Sequence, residues 1–426
     1  MIFDLLKNIS SSQLVKSTGI YTIAKVINSC IPFFLLPIMT AYLTPSDYGV
    51  ISMITTIIAF VTPFVTLSMD SAVVRRYYYK GGSISEYIGT CFIIVSVLCL
   101  AVTLFLVLFG SFLSEEIQVP EYVIWIVPIY CVFLFLKTIV LYNWQVKGEP
   151  IKYGLFSIIS TLIEVTIAIS LIVKFGFNWQ GRAISLLSTG IILALFSVIY
   201  LRSKGMIELK YNKEYANHAT KYGLGLIPHA LGGSLMVLSN RFFITNMVSI
   251  DETGLYGVAS SLSGILSFIT LSFNNAYVPW LFEKLSQKDE KQNLQIVRVT
   301  YAYLFFIVIL GVLSYLFIVL VFPFFVNRSF GQAIKYIPWL LAGHVFQGGY
   351  FMMTNYIMYS EKTYYNGLVT IFTGLLSLLL NYLFIKQYGA VGAAIAFTCT
   401  YIVYFIMTWI VANKVCEMPW FKVKLK

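Results

Sequence analysis

A few residues of this 426-residue chain pair a chemically capable side chain with a setting that makes it costly. Glu164 stands in Thr161-Leu162-Ile163-Glu164-Val165-Thr166, near the middle of a long apolar run. An ionised carboxylate in such a run demands a cationic partner, and an unpaired one takes up a proton instead. Glu164 is therefore a candidate for ion coupling, or for an ion pair with Lys25. Lys25 and Arg241 are cations inside apolar runs, where a charge at the helix centre costs roughly 2.5–3.5 kcal/mol on insertion scales. Each is either a ligand group or a structural charge that snorkels or bonds backbone carbonyls. Arg75 and Arg76 precede Tyr77, Tyr78, Tyr79 and Lys80. That cluster is either a cationic and aromatic ligand site or an anchor that holds the chain at an interface and signals its topology. His229, just after Pro228, and His344 are candidate proton sites, with a satisfied intramembrane histidine as the alternative. Lys137 reads as a snorkelling side chain.

Other chemistry is excluded. The sequence has no G-x-x-x-x-G-K-[ST] loop to hold a nucleotide. It has no H-E-x-x-H or G-x-S-x-G motif to support hydrolysis or group transfer. Cys30, Cys91, Cys99, Cys131 and Cys399 lie in apolar runs without metal-like spacing, so they read as small core residues. No metal, no catalytic residue and no cofactor is expected, beyond a coupling proton or sodium ion.

These side chains must be positioned by membrane helices. Hydrophobic residues make up 59% of the chain and charged residues 11%, against about 25% charged in a typical soluble domain. Continuous apolar runs of roughly 20 residues mark α-helices rather than the alternating strands of a barrel. About twelve spans fall near 18–41, 48–69, 87–110, 122–142, 153–173, 181–201, 222–248, 255–281, 299–322, 336–358, 364–385 and 389–413. The first has no small-residue cleavage site behind it, so it reads as a span and not as a signal peptide. With the N-terminus in the cytoplasm, inside segments carry 21 of the 29 Lys and Arg residues and outside loops carry 5. That bias places both termini inside. The net charge of +11 thus belongs to cytoplasmic loops and not to a nucleic-acid-binding patch.

The chain also repeats itself. Thr44-Pro45-Ser46-Asp47-Tyr48-Gly49 leads into the second span as Ser249-Ile250-Asp251-Glu252-Thr253-Gly254 leads into the eighth. Glu149 is matched by Glu361, and Gly181 by Gly392, at offsets close to half the chain. Six spans per repeat is an even number, so the halves share one orientation and are related by an axis along the membrane normal. The expected architecture is an all-α membrane protein with a six-helix lobe at 1–205, a cytoplasmic linker at 206–221, a second six-helix lobe at 222–413 and a cytoplasmic tail at 414–426. The lobes are expected to surround a central cavity.

Several segments carry a family resemblance. They are Pro37-Ile38-Met39-Thr40-Ala41-Tyr42-Leu43-Thr44-Pro45-Ser46-Asp47-Tyr48-Gly49, Asp70 to Tyr79, Asn240-Arg241-Phe242-Phe243-Ile244, Pro279-Trp280-Leu281-Phe282 and Gly392-Ala393-Ala394. The chain resembles the O-antigen and polysaccharide flippases of the multidrug/oligosaccharidyl-lipid/polysaccharide exporter superfamily, which commonly carry Asp where Asn240 stands. The resemblance implies a transporter that moves an undecaprenyl-diphosphate-linked oligosaccharide from the cytoplasmic to the periplasmic leaflet of the bacterial inner membrane. It further implies that Lys25 and Arg241 line the path and suit a diphosphate, with other polysaccharide-assembly membrane proteins as partners. With no nucleotide-binding loop in the sequence, a proton or sodium gradient is the expected driving force for alternating access. A polymerase or ligase acting on the same lipid-linked sugar, and a drug/cation antiporter of the same superfamily, are the alternatives.

Overall fold

The computed structural model describes residues 27–28, 31, 33–79, 81–287 and 289–420. Among these residues all regular structure is helical. The first described helix, α1, is Phe33–Tyr42. It is followed by α2 (Pro45–Thr66), α3 (Met69–Tyr77), α4 (Ile84–Leu108), α5 (Gly110–Ile117), α6 (Glu121–Val146), α7 (Pro150–Ile169) and α8 (Trp179–Ser203). Then come α9 (Lys213–Met247), α10 (Ile250–Ser286), α11 (Glu290–Phe325), α12 (Ile337–Tyr359), α13 (Thr363–Tyr388) and α14 (Val391–Val415). A π-helical turn at Ser170–Lys174 prolongs α7, and a 3-10 segment at Arg328–Tyr336 precedes α12.

Ten helices among the described residues are long and apolar enough to cross a membrane, so this is a multi-pass membrane protein. The tenth expected span, 336–358, is α12, which has the length at 23 residues. Its His344, Gln347, Thr354 and Asn355 dilute its apolarity, and it can carry them because most of its surface is buried within the fold. Half of the first expected span, 18–26 with 29, 30 and 32, lies outside the described residues.

Helix ends follow from local chemistry. Ahead of α2, the Asp47 carboxylate accepts the Thr44 N–H at 3.1 Å and the Thr44 hydroxyl at 2.6 Å, while Asp47 N–H donates to the Thr44 hydroxyl at 3.1 Å. At α10 the Ser249 hydroxyl accepts the Glu252 N–H at 3.2 Å. Thr44 and Asp47 thus form a reciprocal capping box. Ser249 supplies only the N-cap bond, because the Ser249 N–H donates to the Ile244 carbonyl and the Glu252 carboxylate turns to Lys335. Helices α9, α10 and α11 run to 35, 37 and 36 residues and overrun their apolar stretches. An apolar window ends where the membrane does, but a capped helix continues into water. The Asn212 side-chain carbonyl starts α9 early by accepting from the Glu214 and Tyr215 N–H groups.

The chain forms two compact units. The first is built from the described part of Met1–Leu43 with Met53–Ile227, and the second from Thr44–Ser52 with Pro228–Lys426. In the first unit α6 packs against α4, α7 and α8; in the second α12 packs along α14, α10 and α11. The start of α2 belongs to the second unit, where it lies against α10. A Cβ on Gly49 would collide with the Ile250 carbonyl oxygen, and one on Gly254 would collide with that of Pro45. Only glycine allows this approach.

Candidate functional site

In the first unit, Glu164 occupies the fifteenth position of α7, and its carboxylate meets the Arg182 guanidinium at 2.6 Å. Arg182 lies in the first turn of α8. The expected cationic partner of Glu164 is therefore supplied by the next helix, and its pairing with Lys25 lies outside the described residues, as Lys25 itself does. The two side chains remain 23% and 16% exposed, so the pair is reachable. Lys137, on α6, has an electrostatic interaction with the same carboxylate. The Tyr130 hydroxyl senses both members of the pair, and its side chain lines an apolar cavity of about 220 Å³ with Trp179 and Ile58. One turn before Glu164, the Thr161 hydroxyl donates to the Asn28 side-chain carbonyl at 3.0 Å, and the Asn28 amide donates to Ser157.

At one end of this unit, α3 presents Arg75 and Arg76 in its last turn. The basic–aromatic segment, which reads from sequence as a loop-side cluster, is a short amphipathic helix. Arg75 lies over the Tyr222 ring at 5.0 Å from its centroid and donates to the Tyr79 hydroxyl at 3.3 Å. It lines an open cavity of about 340 Å³ together with Ser71, Tyr78, Tyr142, Gln145 and Tyr222. Arg76 turns the other way. It lies over Tyr215 at 4.9 Å and Tyr87 at 5.5 Å, and it donates to the Gly81 carbonyl at 2.9 Å. Burial pushes the carboxyl of Asp70, at the start of α3, above the ordinary carboxylate range, against the lowering pull of the Ser71 N–H.

In the second unit, Arg241 of α9 donates its Nη1 to the Ser52 carbonyl at 3.0 Å and interacts electrostatically with the Tyr256 and Tyr48 hydroxyls. It is tied to the start of α2. His229 shares a hydrogen bond of 2.8 Å with the Thr370 hydroxyl, which in turn meets the Tyr404 hydroxyl at 2.7 Å. His344 is bonded through Nδ1 to Gln347 at 2.9 Å, and the Gln347 amide donates to Tyr401. Both histidines are thus satisfied members of polar chains. Asn240 donates to the Met236 carbonyl at 3.0 Å on its own helix. Glu252 forms an ion pair with Lys335 at 2.9 Å and accepts a hydrogen bond from Tyr336, which ties the 3-10 segment to α10.

The structure joins Glu164 to Arg182 and sets Arg75 and Arg76 back to back. Arg241 and His229 stand on one helix of the other unit, twelve residues apart in sequence. The sequence alone does not single out Arg182, Lys137, Tyr215 and Tyr222 as ligand groups. Arg182 carries one usable signal: with Lys174, it is one of the two cations that follow Glu164 most closely along the chain.

A family model described as polysaccharide biosynthesis protein matches residues 14–285. An uncharacterized membrane protein of Haemophilus influenzae is 26% identical over 366 residues, covering 82% of this chain and 85% of that protein. Among solved structures, the lipid II flippase MurJ in an inward closed conformation aligns with a TM-score of 0.72 and 16% identity, covering 92% of this chain and 87% of MurJ. An inward-facing multidrug resistance MATE family transporter of the MOP superfamily aligns with a TM-score of 0.68 and 12% identity, covering 94% and 96%. At those identities the likeness is one of fold. The chain belongs to the polysaccharide biosynthesis protein family.

Proposed function

We propose that this protein is a flippase for an undecaprenyl-diphosphate-linked oligosaccharide, such as an O-antigen or other surface-polysaccharide repeat unit. It moves that lipid from the cytoplasmic to the periplasmic leaflet of the bacterial inner membrane, with both of its own termini in the cytoplasm. The observation that carries the reading is the open cavity at Arg75, where a guanidinium stands over Tyr222 among polar and aromatic side chains. Guanidinium groups hold phosphate oxygens bidentately, and aromatic faces suit sugars. Lys25 and Arg241 serve the diphosphate deeper along the path, while the glycan travels in water and the prenyl tail stays in lipid. The two repeated lobes work by alternating access. Without a nucleotide-binding loop in the sequence, a proton or sodium gradient is the driving force, with Glu164 and His229 as the coupling groups. Other polysaccharide-assembly membrane proteins supply the substrate and consume the product.

The test is reconstitution into liposomes with a fluorescent diphosphate-linked oligosaccharide, followed by an impermeant quencher or lectin. Protein-dependent movement between leaflets without ATP supports the reading. Chain lengthening of the same substrate, without movement, would replace it with a polymerase.

A further inference from the structure

We infer that Thr370 is a positioning residue that keeps the proton of neutral His229 on Nδ1, so that Nε2 is the nitrogen that takes up and releases the coupling proton. This inference rests on the proton-coupled form of the flippase reading and names the atoms by which His229 serves it. His229 stands at the seventeenth of 35 positions in α9, directly after Pro228. Glycines bring α9 close to α13 there. A Cβ on Gly232 would collide with the Thr370 carbonyl oxygen, and one on Gly374 would press on the backbone of Gly232. That approach, about one turn beyond His229, sets its ring against Thr370.

The Thr370 hydroxyl then has three polar neighbours. His229 Nδ1 lies at 2.8 Å, the Asn366 carbonyl oxygen at 2.7 Å and the Tyr404 hydroxyl at 2.7 Å. A hydroxyl has one proton to donate and two lone pairs with which to accept. The carbonyl can only accept, so it takes that proton. The other two neighbours must both donate, Tyr404 through its hydroxyl and His229 through an Nδ1–H. Any other arrangement leaves one of the three short contacts without a proton between its atoms. Thr370 is 1% exposed and Tyr404 4%, so water does not relieve such a mismatch. Tyr404 is held in turn by the Tyr350 ring, stacked on it with centroids 4.0 Å apart.

A neutral imidazole that carries Nδ1–H has its free lone pair on Nε2. Left to itself, a histidine side chain favours the opposite tautomer, so the Thr370 hydroxyl is what reserves Nε2. His229 is exposed, unlike the hydroxyls behind it. A proton arriving at Nε2 from water makes the imidazolium, and its departure restores the neutral ring. The Nδ1–H bond to Thr370 is kept in both steps, so the ring holds one orientation while charge comes and goes on a single atom. The titratable groups facing this network are Tyr404 of α14 and Tyr350 of α12. Both are phenols rather than carboxylates, so they do not trap the ring as imidazolium.

The experiment reads the ring nitrogens of histidine-labelled full-length protein in nanodiscs by NMR, at alkaline pH where the ring is neutral. It runs in parallel with leaflet translocation under an imposed proton gradient. The signal lost in His229→Gln identifies His229 among the three histidines. The natural protein is expected to show His229 as Nδ1–H. Thr370→Val, which keeps the volume and removes the hydroxyl, is expected to shift it to the Nε2–H form and to lose most of the stimulation of flipping by the gradient. Thr370→Ser, which keeps the hydroxyl, is expected to retain both properties of the natural protein. His229 found as Nε2–H in the natural protein overturns the assignment, and an unchanged tautomer in Thr370→Val overturns the positioning role. The expected tautomers, alongside translocation indifferent to the gradient, remove the coupling proton from His229 and leave the flippase reading standing. The expected tautomers, alongside no translocation by the natural protein, support the positioning role and remove the flippase reading.

Discussion

The carboxylate of Glu164 lies 2.6 Å from the guanidinium of Arg182, bridging α7 and α8. Both side chains are less than a quarter exposed, so solvent screens the pair little, and removing one partner strands the other in an apolar region. Glu164→Gln and Arg182→Gln should each lower the unfolding temperature in detergent. The double variant should lose less than the two singles together, with a coupling energy of about 1–3 kcal/mol. Strict additivity would show that the pair contributes nothing to the fold.

Gly49 and Gly254 occupy equivalent places in the two repeated capping segments, and each faces backbone of the other's helix. A methyl group at either position would overlap a carbonyl oxygen. Backbone cannot swing aside as a flexible side chain can, so Gly254→Ala should destabilise by about 1–3 kcal/mol. A methyl group on Gly264, also in α10, would meet no other atom within 4 Å. Gly264→Ala should therefore be neutral or mildly stabilising, because alanine is the better helix former. Equal unfolding temperatures for the two variants would show that α2 and α10 can separate without cost.

Arg75 and Tyr222 make a cation–π contact at 5.0 Å that holds the guanidinium in its open cavity. At an exposed site such a contact is worth about 0.5–1 kcal/mol. Tyr222→Ala should therefore raise the half-saturating concentration of lipid-linked oligosaccharide about two- to fivefold while sparing the maximal flipping rate. Tyr222→Phe, which keeps the ring, should behave as the natural protein. Arg75→Ala should act in the same direction and more strongly. Flipping rate against substrate concentration in proteoliposomes decides; a lowered maximal rate at unchanged half-saturation would remove the capture role.

The spans are legible in the sequence because a bilayer imposes one requirement, a long run of apolar residues, and most observed helices start within a few residues of the expected places. The repeat is legible too, and its meaning is local: Thr44 to Asp47 and Ser249 to Glu252 are helix caps. Glu164 stands out because a carboxylate is so costly in lipid. Its partner does not, because hydropathy assigns residues to helices without saying which helices touch. Apolar runs put Arg182 at the very edge of the sixth expected span, whereas α8 begins at Trp179 and brings its fourth residue back toward α7. The short helices α3 and α5 escape notice for a different reason. At 9 and 8 residues, they are too brief and too mixed in character to register against apolar runs three times their length.

Arg241 tests whether a charge is serving the substrate or the fold. Its bond to the Ser52 carbonyl at 3.0 Å is charge-assisted and joins α9 to the start of α2. Losing such a bond costs roughly 1.5–3 kcal/mol, so Arg241→Ala should lower the unfolding temperature even if no diphosphate ever reaches it. Arg241→Lys separates the two roles. Lysine keeps the positive charge but lacks the planar fork of donors, so it should retain measurable flipping if charge toward the diphosphate is what matters. Arg241→Ala and Lys25→Ala should both abolish flipping while normal amounts of protein reach the membrane. Full activity in both alanine variants would end the idea of a charge clamp. Loss in Arg241→Ala that is matched by Arg241→Lys, and that follows the fall in unfolding temperature, would make Arg241 an anchor for α2.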